Sequence, residues 1–390
     1  MGKNKLIVNG ICRDEGGENA NVLRMLNNIK PIIDAVALVD TGSKDDTVQL
    51  VKDWLEQTKT PGSIIELEWK EFGPSRTDAI RHAEKVAMEV DPKATWWMAF
   101  MDMDDQCSNT NGTGPFELDK SKLGMVDGKR VDRYDVKQML SSTTWVDRWL
   151  ARIDPEKKWC WKNKRHEYLT PEGSWNATIA FLGGGYLKRA TSGYRSKDPY
   201  TFLNDAAVFM KELKDNPGDH RNTFYTAQSY RDSGNADLGL VMYKRRIKLG
   251  GWGDEVYNSY LNIIKHRITQ GKIDDKTICM MLQAINVCPN RFEIPYYLVR
   301  IWRLKQMYAL AWNFAKAYVN MPNPTGGLFV DESIYLHGFP EEASLVAYYS
   351  GDKKSYVALA KRALSSPTIP EDTRKRIQNG LDLFGKDGAK

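Results

Sequence analysis

Between Thr95 and Asp105 the chain reads TWWMAFMDMDD, and this stretch restricts the fold more than any other. Six apolar residues in a row, Trp96 to Met101, fit a strand covered on both faces, as in the middle of a parallel sheet. Asp102, Asp104 and Asp105 then fall at the carboxyl end of that strand, the edge where open α/β sheets bind ligands. Three carboxylates so close repel one another unless positive charge lies between them. A divalent cation with oxygen ligands would supply it. The competing reading is a cap or surface turn after the strand.

The residues before this strand alternate between two periodicities. KLIVNGIC (5–12), AVALVD (35–40) and SIIELEW (63–69) read as strands. Asn19 to Ile29, DDTVQLVKDWLEQ (45–57) and Ser75 to Val90, capped by Ser75, read as helices. Repeated βα units imply a parallel sheet layered by helices. Residues 106–190 are irregular and tryptophan-rich, and read as an acceptor-facing extension of the sheet. From about 199 helices follow one another at 199–214, 221–233, 236–249, 254–270 and 274–287, then in pairs to about 383, broken at Gly234-Asn235 and Gly250-Gly251. Tyr225, Ala227, Tyr230 and Gly234 give a degenerate small/large helix-pair pattern of tetratricopeptide-like type. The expected organisation is a Rossmann-like α/β domain over 1–195 and an all-α helical-repeat domain over 196–390, ending in a frayed GKDGAK tail.

Hydrophobic residues make up 42% of 390, enough for a core in each domain, and no apolar run is long enough to cross a bilayer. The N-terminus enters a strand at once without a signal peptide, and Leu6 breaks an acylation pattern that would begin at Gly2. Cys12, Cys107, Cys160, Cys279 and Cys288 form no CxxC pair, which fits a reducing, cytoplasmic setting without a zinc site. Basic and acidic residues balance at 30 each over residues 1–200, and the surplus lies in 201–390, with 26 against 20. That bias permits an anionic partner without demanding one.

Three strand ends carry polar signatures: Arg13-Asp14-Glu15, Asp40-Thr41-Gly42-Ser43 and Asp102-Met103-Asp104. In a parallel sheet they share one edge. Asp40 at a strand tip can accept from a base or ribose, while Asp45 and Asp46 suit a helix N-terminus. The stretch 157–168, KKWCWKNKRHEY, interleaves tryptophan and lysine. It reads either as a stacking surface for sugars or nucleic acid, or as an edge strand guarded by lysines.

VDTGSKDDT, FGPSRTDAI and MDMDD, in this order, resemble family-2 glycosyltransferases with the nucleotide-diphosphosugar transferase, A-type fold. WKNKRHEYL, GYRSKDPY, TFYTAQSYRDSGN, GGWGDEVY, RFEIPYYLVR and LFVDESIY look like the subgroup fused to a tetratricopeptide-like tail. The resemblance covers nearly the whole chain. It implies a hexosyl- or pentosyltransferase with a nucleotide-sugar donor, UDP-linked in the first instance. Asp40 would contact the uracil or ribose, with Arg13, Asp14 and Glu15 near it. Asp102 and Asp104 would be the DxD pair, with Asp104 on the Mn²⁺ or Mg²⁺ and Asp102 toward the ribose or the metal. Arg76 matches an arginine near the nucleotide or diphosphate. His166-Glu167 matches the family's His-Glu pair. Many relatives have Asn where this chain has Thr77, so no Asn role carries over. Relatives often show a histidine shortly before the Gly-x-Arg-Ser stretch, where this chain has Lys188 to Ser192, so no third metal ligand is assigned.

Sugar transfer needs the leaving diphosphate neutralised, and a cation between carboxylates and phosphate oxygens does this. Arg76, Arg195 or Lys197 could add charge-assisted hydrogen bonds. A hydroxyl acceptor needs a base, for which Glu167 is the candidate, with His166 a metal ligand, a base partner or a core residue. One in-line displacement inverts the anomeric centre. The acceptor could be a protein or peptide side chain, a glycan or a hydroxymethylated DNA base, with no membrane insertion. The helical domain could bind a partner or form a homodimer. The alternative is an inactive transferase-like scaffold whose repeats bind a protein.

Overall fold

β1 (Asn4–Cys12) lies at the middle of the first sheet because both of its faces are apolar in alternation. Leu6 and Val8 face one side and Ile7 the other, all fully buried. The structure is a computed structural model describing residues 3–17, 20–324 and 326–387. Gly2, the Asn19 helix start and the end of the GKDGAK tail lie outside these.

β1 pairs in parallel with β2 (Ala35–Asp40) and with β4 (Thr95–Phe100), and β2 in turn with β3 (Gly62–Glu66). The register sets Cys12 beside Asp40 and Asn9 beside Phe100, so the three strands end at one edge. In β4 the period of two divides the apolar run cleanly. Trp97, Ala99 and Met101 pack beneath α1 (Asn21–Ile29) and α2 (Thr47–Thr58). Trp96, Met98 and Phe100 pack against α3 (Phe72–Val90). A continuous apolar strand is what two covering layers require.

Helix α3 starts three residues before the expected Ser75 cap. Pro74 fits a first helical turn, where its missing N–H has no partner to lose. The buried Ser75 hydroxyl instead accepts from the Lys70 amide at 3.2 Å.

After β5 (Gln106–Ser108) and a small hairpin of β6 (Met125–Val126) and β7 (Lys129–Arg130), the sheet is extended by β8 (Arg133–Leu140), β9 (Thr143–Arg152) and β12 (Ile179–Lys188). The strand order is β3-β2-β1-β4-β9-β8-β12-β5. β9 runs antiparallel to β4, and β12 runs parallel to β8. The β8–β9 hairpin therefore returns β8, and with it β12, to the direction of β4. The carboxyl end of β12 reaches the same edge as Asp102.

β10 (Trp159–Lys162) and β11 (Tyr168–Pro171) form a separate hairpin over α3. Trp159 and Trp161 are 1% and 4% exposed. Lys158 pairs with Glu84 at 2.9 Å, and Lys157 lies 3.3 Å from Asp132. The tryptophans of the Trp/Lys strip thus fill the core under α3 and present no stacking face to solvent.

The chain divides into two compact units, residues 1–140 with 145–215, and 141–144 with 216–390. α4 (Thr201–Asp215) belongs to the first. In the second, α5 (His220–Asp232), α6 (Ala236–Leu249), α7 (Gly253–Thr269), α8 (Asp275–Val287), α9 (Glu293–Leu304) and α10 (Tyr308–Ala315) pack successively against their neighbours. The short β13 (Val330–Asp331) pairs with Thr143 and Thr144, and α11 (Phe339–Tyr349), α12 (Lys353–Leu364) and α13 (Glu371–Asp387) complete the stack. Gly239 lets α6 approach α5 closely: a Cβ there would sit 3.1 Å from the Ala227 carbonyl oxygen. No helix of the described residues is long and apolar enough to cross a membrane.

Arg246 is fully buried in this second unit, with Glu255 at 2.9 Å as its carboxylate partner. Removing one member of such a pair strands a charge, at a cost of about 3–5 kcal/mol. Glu255→Ala is therefore expected to lower the melting temperature of the helical unit by about 2–4 °C per kcal/mol lost, read by circular dichroism. An unchanged melt would show that Arg246 needs no partner.

Candidate active site

The site assembles on the sheet's carboxyl edge from loops that are tied to one another by their own acids. Asp14 takes a positive φ of 50° and accepts from the Lys44 amide at 2.6 Å. Its own amide donates to the Ser43 hydroxyl at 2.8 Å. Asp40, 1% exposed, accepts from the Gly42 and Ser43 amides at 2.9 Å and from the Ser43 hydroxyl. Gly42 has φ 104°, a conformation that only glycine adopts without strain. Asp45, one residue before the N-cap Asp46, accepts from the Thr47 and Gly16 amides at 3.0 Å and so ties the start of α2 to the loop after β1. The Asp46 side chain reaches the Gly17 amide, at 2.9 Å. Asp14 and Asp40 thus spend their carboxylates on the two loops that follow β1 and β2.

Arg13 and Glu15 both meet Tyr194. The Arg13 guanidinium stands 5.1 Å over the Tyr194 ring, and its Nε is buried without a hydrogen-bond partner. Glu15 accepts from Asn21 Nδ2 at 2.8 Å and from the Tyr194 amide at 2.9 Å. Burial pushes its carboxyl pKa up, against the pull of those two donors.

At the end of β4 the chain turns sharply. Asp105 accepts from the Asp102 amide at 3.1 Å, and its own amide donates to the Asp102 carbonyl at 3.1 Å. One oxygen of Asp102 takes the Arg76 guanidinium and the other takes Arg189. Arg189 also reaches Asp105 at 2.5 Å. Burial alone would raise the Asp102 pKa, but Arg76 and Arg189 outweigh it and hold the carboxyl well below the usual range. Asp105 is 1% exposed, and burial pushes its pKa up, with Asp102 and Asp104 adding to the rise and Arg189 opposing it.

Asp104 points its Oδ2 at the Ser192 and Gly193 amides, 3.0 and 2.9 Å away. Burial raises its pKa, and Asp102 adds to the rise. No other described residue donates a hydrogen bond to its Oδ1, and the described residues contain no cluster of three His, Cys, Asp or Glu able to hold a metal ion. A cation held by one or two carboxylates together with substrate phosphates is a common arrangement for Mg²⁺. Asp104 is the residue here that could hold such an ion.

Arg76 joins the acids to Glu167. Its Nε lies 2.6 Å from Glu167 Oε1, an ion pair whose N–H is not aligned for a hydrogen bond. Arg76 and Arg148 both stand over the Trp161 ring, at 5.5 and 4.6 Å. Thr77 secures that ring's strand by accepting from the Trp161 amide at 2.9 Å. The loop leading to Glu167 holds two non-glycine residues at positive φ, Asn163 at 74° and His166 at 46°. Strain of this kind concentrates at functional sites. Gly73 allows the loop to press on α3, since a Cβ there would lie 2.5 Å from the Asn163 carbonyl oxygen. The His166 ring stacks on Phe209 of α4 at 5.8 Å. Arg195 and Arg165 share Asp205, at 2.5 and 3.0 Å, and both flank the Phe72 ring.

Glu15, Arg76, Asp102, Asp104 and Glu167 therefore meet at one edge from four separate stretches of chain. Arg189, to which no role was assigned, sits among them. It stands directly after β12, as Arg13 stands directly after β1, but residues 106–190 read as irregular in the sequence and nothing there marks that strand end.

Residues 17–114, the span of α1 to just past β5, match the family model for glycosyl transferase family 2. The chain carries a family-2 glycosyl transferase domain. The first unit, which contains these residues, is an α/β unit, and the second is mainly α-helical. Among solved structures, a fragment of S. aureus TarS in complex with UDP-GlcNAc aligns over 70% of this chain and 89% of that one, at 14% identity and a TM-score of 0.32. A thermophilic tetratricopeptide-repeat protein of Thermus thermophilus aligns over 46% of this chain and 91% of its own at 14% identity and a TM-score of 0.30, and MamA over 44% and 94% at 15% and 0.33. No curated protein matches significantly. With likenesses this low, the assignment rests on the family model and the geometry.

The ion bridge at Asp102 has a pH signature. A carboxyl whose folded pKa lies below its unfolded value of about 3.9 adds stability that is present above that pH and lost as pH falls toward the folded pKa. Asp102→Asn removes this contribution. Its deficit in melting temperature relative to the unaltered protein is expected to be largest near neutrality and to shrink as pH is lowered through about 4. A deficit constant with pH would mean that Asp102 is not held ionised by the two arginines.

Proposed function

We propose that the protein is a metal-dependent, inverting glycosyltransferase that moves a sugar from a nucleotide diphosphate, with UDP the first to test, to a hydroxyl of a protein or peptide, a glycan or a hydroxymethylated DNA base. The observation that carries this reading is the convergence of Asp102, Asp104, Arg76 and Glu167 on one sheet edge. The helical unit is proposed to present a macromolecular acceptor or to pair with a second copy.

The nucleoside end lies against the loops after β1 and β2, where the unpartnered Nε of Arg13 has a donor to give. Asp14 and Asp40 shape these loops through their own hydrogen bonds, and contact with the ribose or base falls to the backbone they hold in place. Asp104 offers its Oδ1 to the cation. A bound Mn²⁺ or Mg²⁺ would neutralise charge on the departing diphosphate. Arg76 adds a guanidinium to the phosphate oxygens. When it does so, Glu167 is released from its ion pair to accept the proton of the incoming hydroxyl. A single attack opposite the leaving group inverts the anomeric carbon. His166, stacked on Phe209, is proposed to hold Glu167 in position.

A donor at 100 times its Kd should stabilise the protein by about 2.7 kcal/mol. Thermal shifts with UDP-, GDP- and dTDP-sugars are expected to show a Mn²⁺- or Mg²⁺-dependent rise with one donor, abolished by EDTA and by Asp104→Ala. Glu167→Gln should keep that shift and lose about 10²–10⁴-fold in transfer. A shift with no donor would favour the scaffold reading, and full transfer by Glu167→Gln would remove Glu167 as the base.

A further inference from the structure

Arg189 occupies a position that the proposed reaction does not explain. It leaves β12 at the carboxyl edge, with its amide donating to the Met139 carbonyl at 2.8 Å, and it turns its guanidinium back among the acids. One nitrogen pairs with Asp102 and another with Asp105 at 2.5 Å. With Arg76 on the second oxygen of Asp102, both oxygens of that carboxylate are taken by guanidinium groups. The side chain of Arg189 remains 23% exposed, so it can be reached from the site. The network is also incomplete: Asp105 keeps one buried oxygen without a partner. A bridge that served only to fix the turn after β4 would not need Asp102, because the turn is already closed by backbone and Asp105 hydrogen bonds.

Charge decides what can enter. A divalent cation arriving alone must expel a like charge from Asp102. A diphosphate arriving alone can draw Arg189 away only by leaving Asp102 beside Asp104 and Asp105 with less positive charge between them. Arriving together, the two exchange partners: the guanidinium goes to phosphate oxygens, and the carboxylates face the cation. The exchange gives Arg189 and Asp102 partners of opposite charge in one step, and unpaired buried charge is the expensive state.

We propose that Arg189 is a tethered counter-cation that keeps divalent metal out of the donor-free site and passes to the diphosphate when metal and nucleotide bind together. The proposal rests on the metal-dependent transferase reading above. It makes Arg189 a positioning residue that sets the coupling between metal and nucleotide.

The test is Mn²⁺ binding by electron paramagnetic resonance, with and without UDP, on the full chain and on Arg189→Met and Arg189→Lys, each checked for folding by its thermal melt. Lysine keeps a charge but lacks the fork that bridges two carboxylates, so it guards against a fold defect from losing the charge. The unaltered protein should bind Mn²⁺ weakly alone and about 5- to 150-fold more tightly with UDP, the usual span of coupling between sites. Arg189→Met should gain affinity for Mn²⁺ without UDP and show a smaller further gain when UDP is added, with Arg189→Lys between the two. Equal UDP-free affinity in all three proteins, with UDP still strengthening binding, would overturn the proposal and leave the transferase reading intact. Tight Mn²⁺ binding by the unaltered protein without UDP would overturn it equally. No Mn²⁺ binding with or without UDP would overturn the metal reading, and the proposal with it.

Discussion

The structure of the first unit depends on how a fully buried strand can end in carboxylates. β4 is committed to the core by Trp96 and Trp97, one for each covering layer. Its next residues cannot leave the edge without passing the ends of β1 and β2, which the parallel register holds level with it. The acids are tolerated there because arginines arrive from two other directions, Arg76 from the first turns of α3 and Arg189 from the end of β12. Each guanidinium is itself partly buried and would be costly without its carboxylates. Acids and arginines hold one another in a place neither could occupy alone, and the result is a compact, ionised edge able to trade partners with a charged ligand.

The loop that follows β12 is bound to the same acids. Ser192 and Gly193 donate amides to Asp104, Tyr194 donates to Glu15, and Arg195 pairs with Asp205 of α4. The carboxylates that the proposed reaction needs are therefore also those that place residues 189–195 over the edge. Change at one acid will be felt along the whole loop, so a loss of activity at Glu15 or Asp104 has to be separated from a loss of loop position.

Much of this was legible in the sequence, and the exceptions have physical causes. The first four strands, their parallel pairing and the helices from α5 to α8 followed from apolar period and from glycine breaks, since burial on one or two faces writes itself into spacing. Burial of Trp159 and Trp161 was not legible, because a hairpin lying on a helix has the same alternation as a solvated edge strand. The loop-locking use of Asp14 and Asp40 was hidden as well: an aspartate at a strand tip looks the same whether it meets a ligand or the amides of its own turn. The early start of α3 turned on Pro74, whose place in a first turn outweighed the serine cap. Arg189 was the largest omission at the site, because only the return of β8 and β12 to the direction of β4 brings that strand end to Asp102.

The most direct test of the account is an experimental structure of the protein with UDP and Mn²⁺. The account predicts the diphosphate at the carboxyl edge beside Arg76, the ion between its phosphates and Asp104, and Arg189 turned from Asp102 toward a phosphate oxygen. Nucleotide bound elsewhere, or bound here with Arg189 still bridging Asp102 and Asp105 and no ion at Asp104, would contradict it.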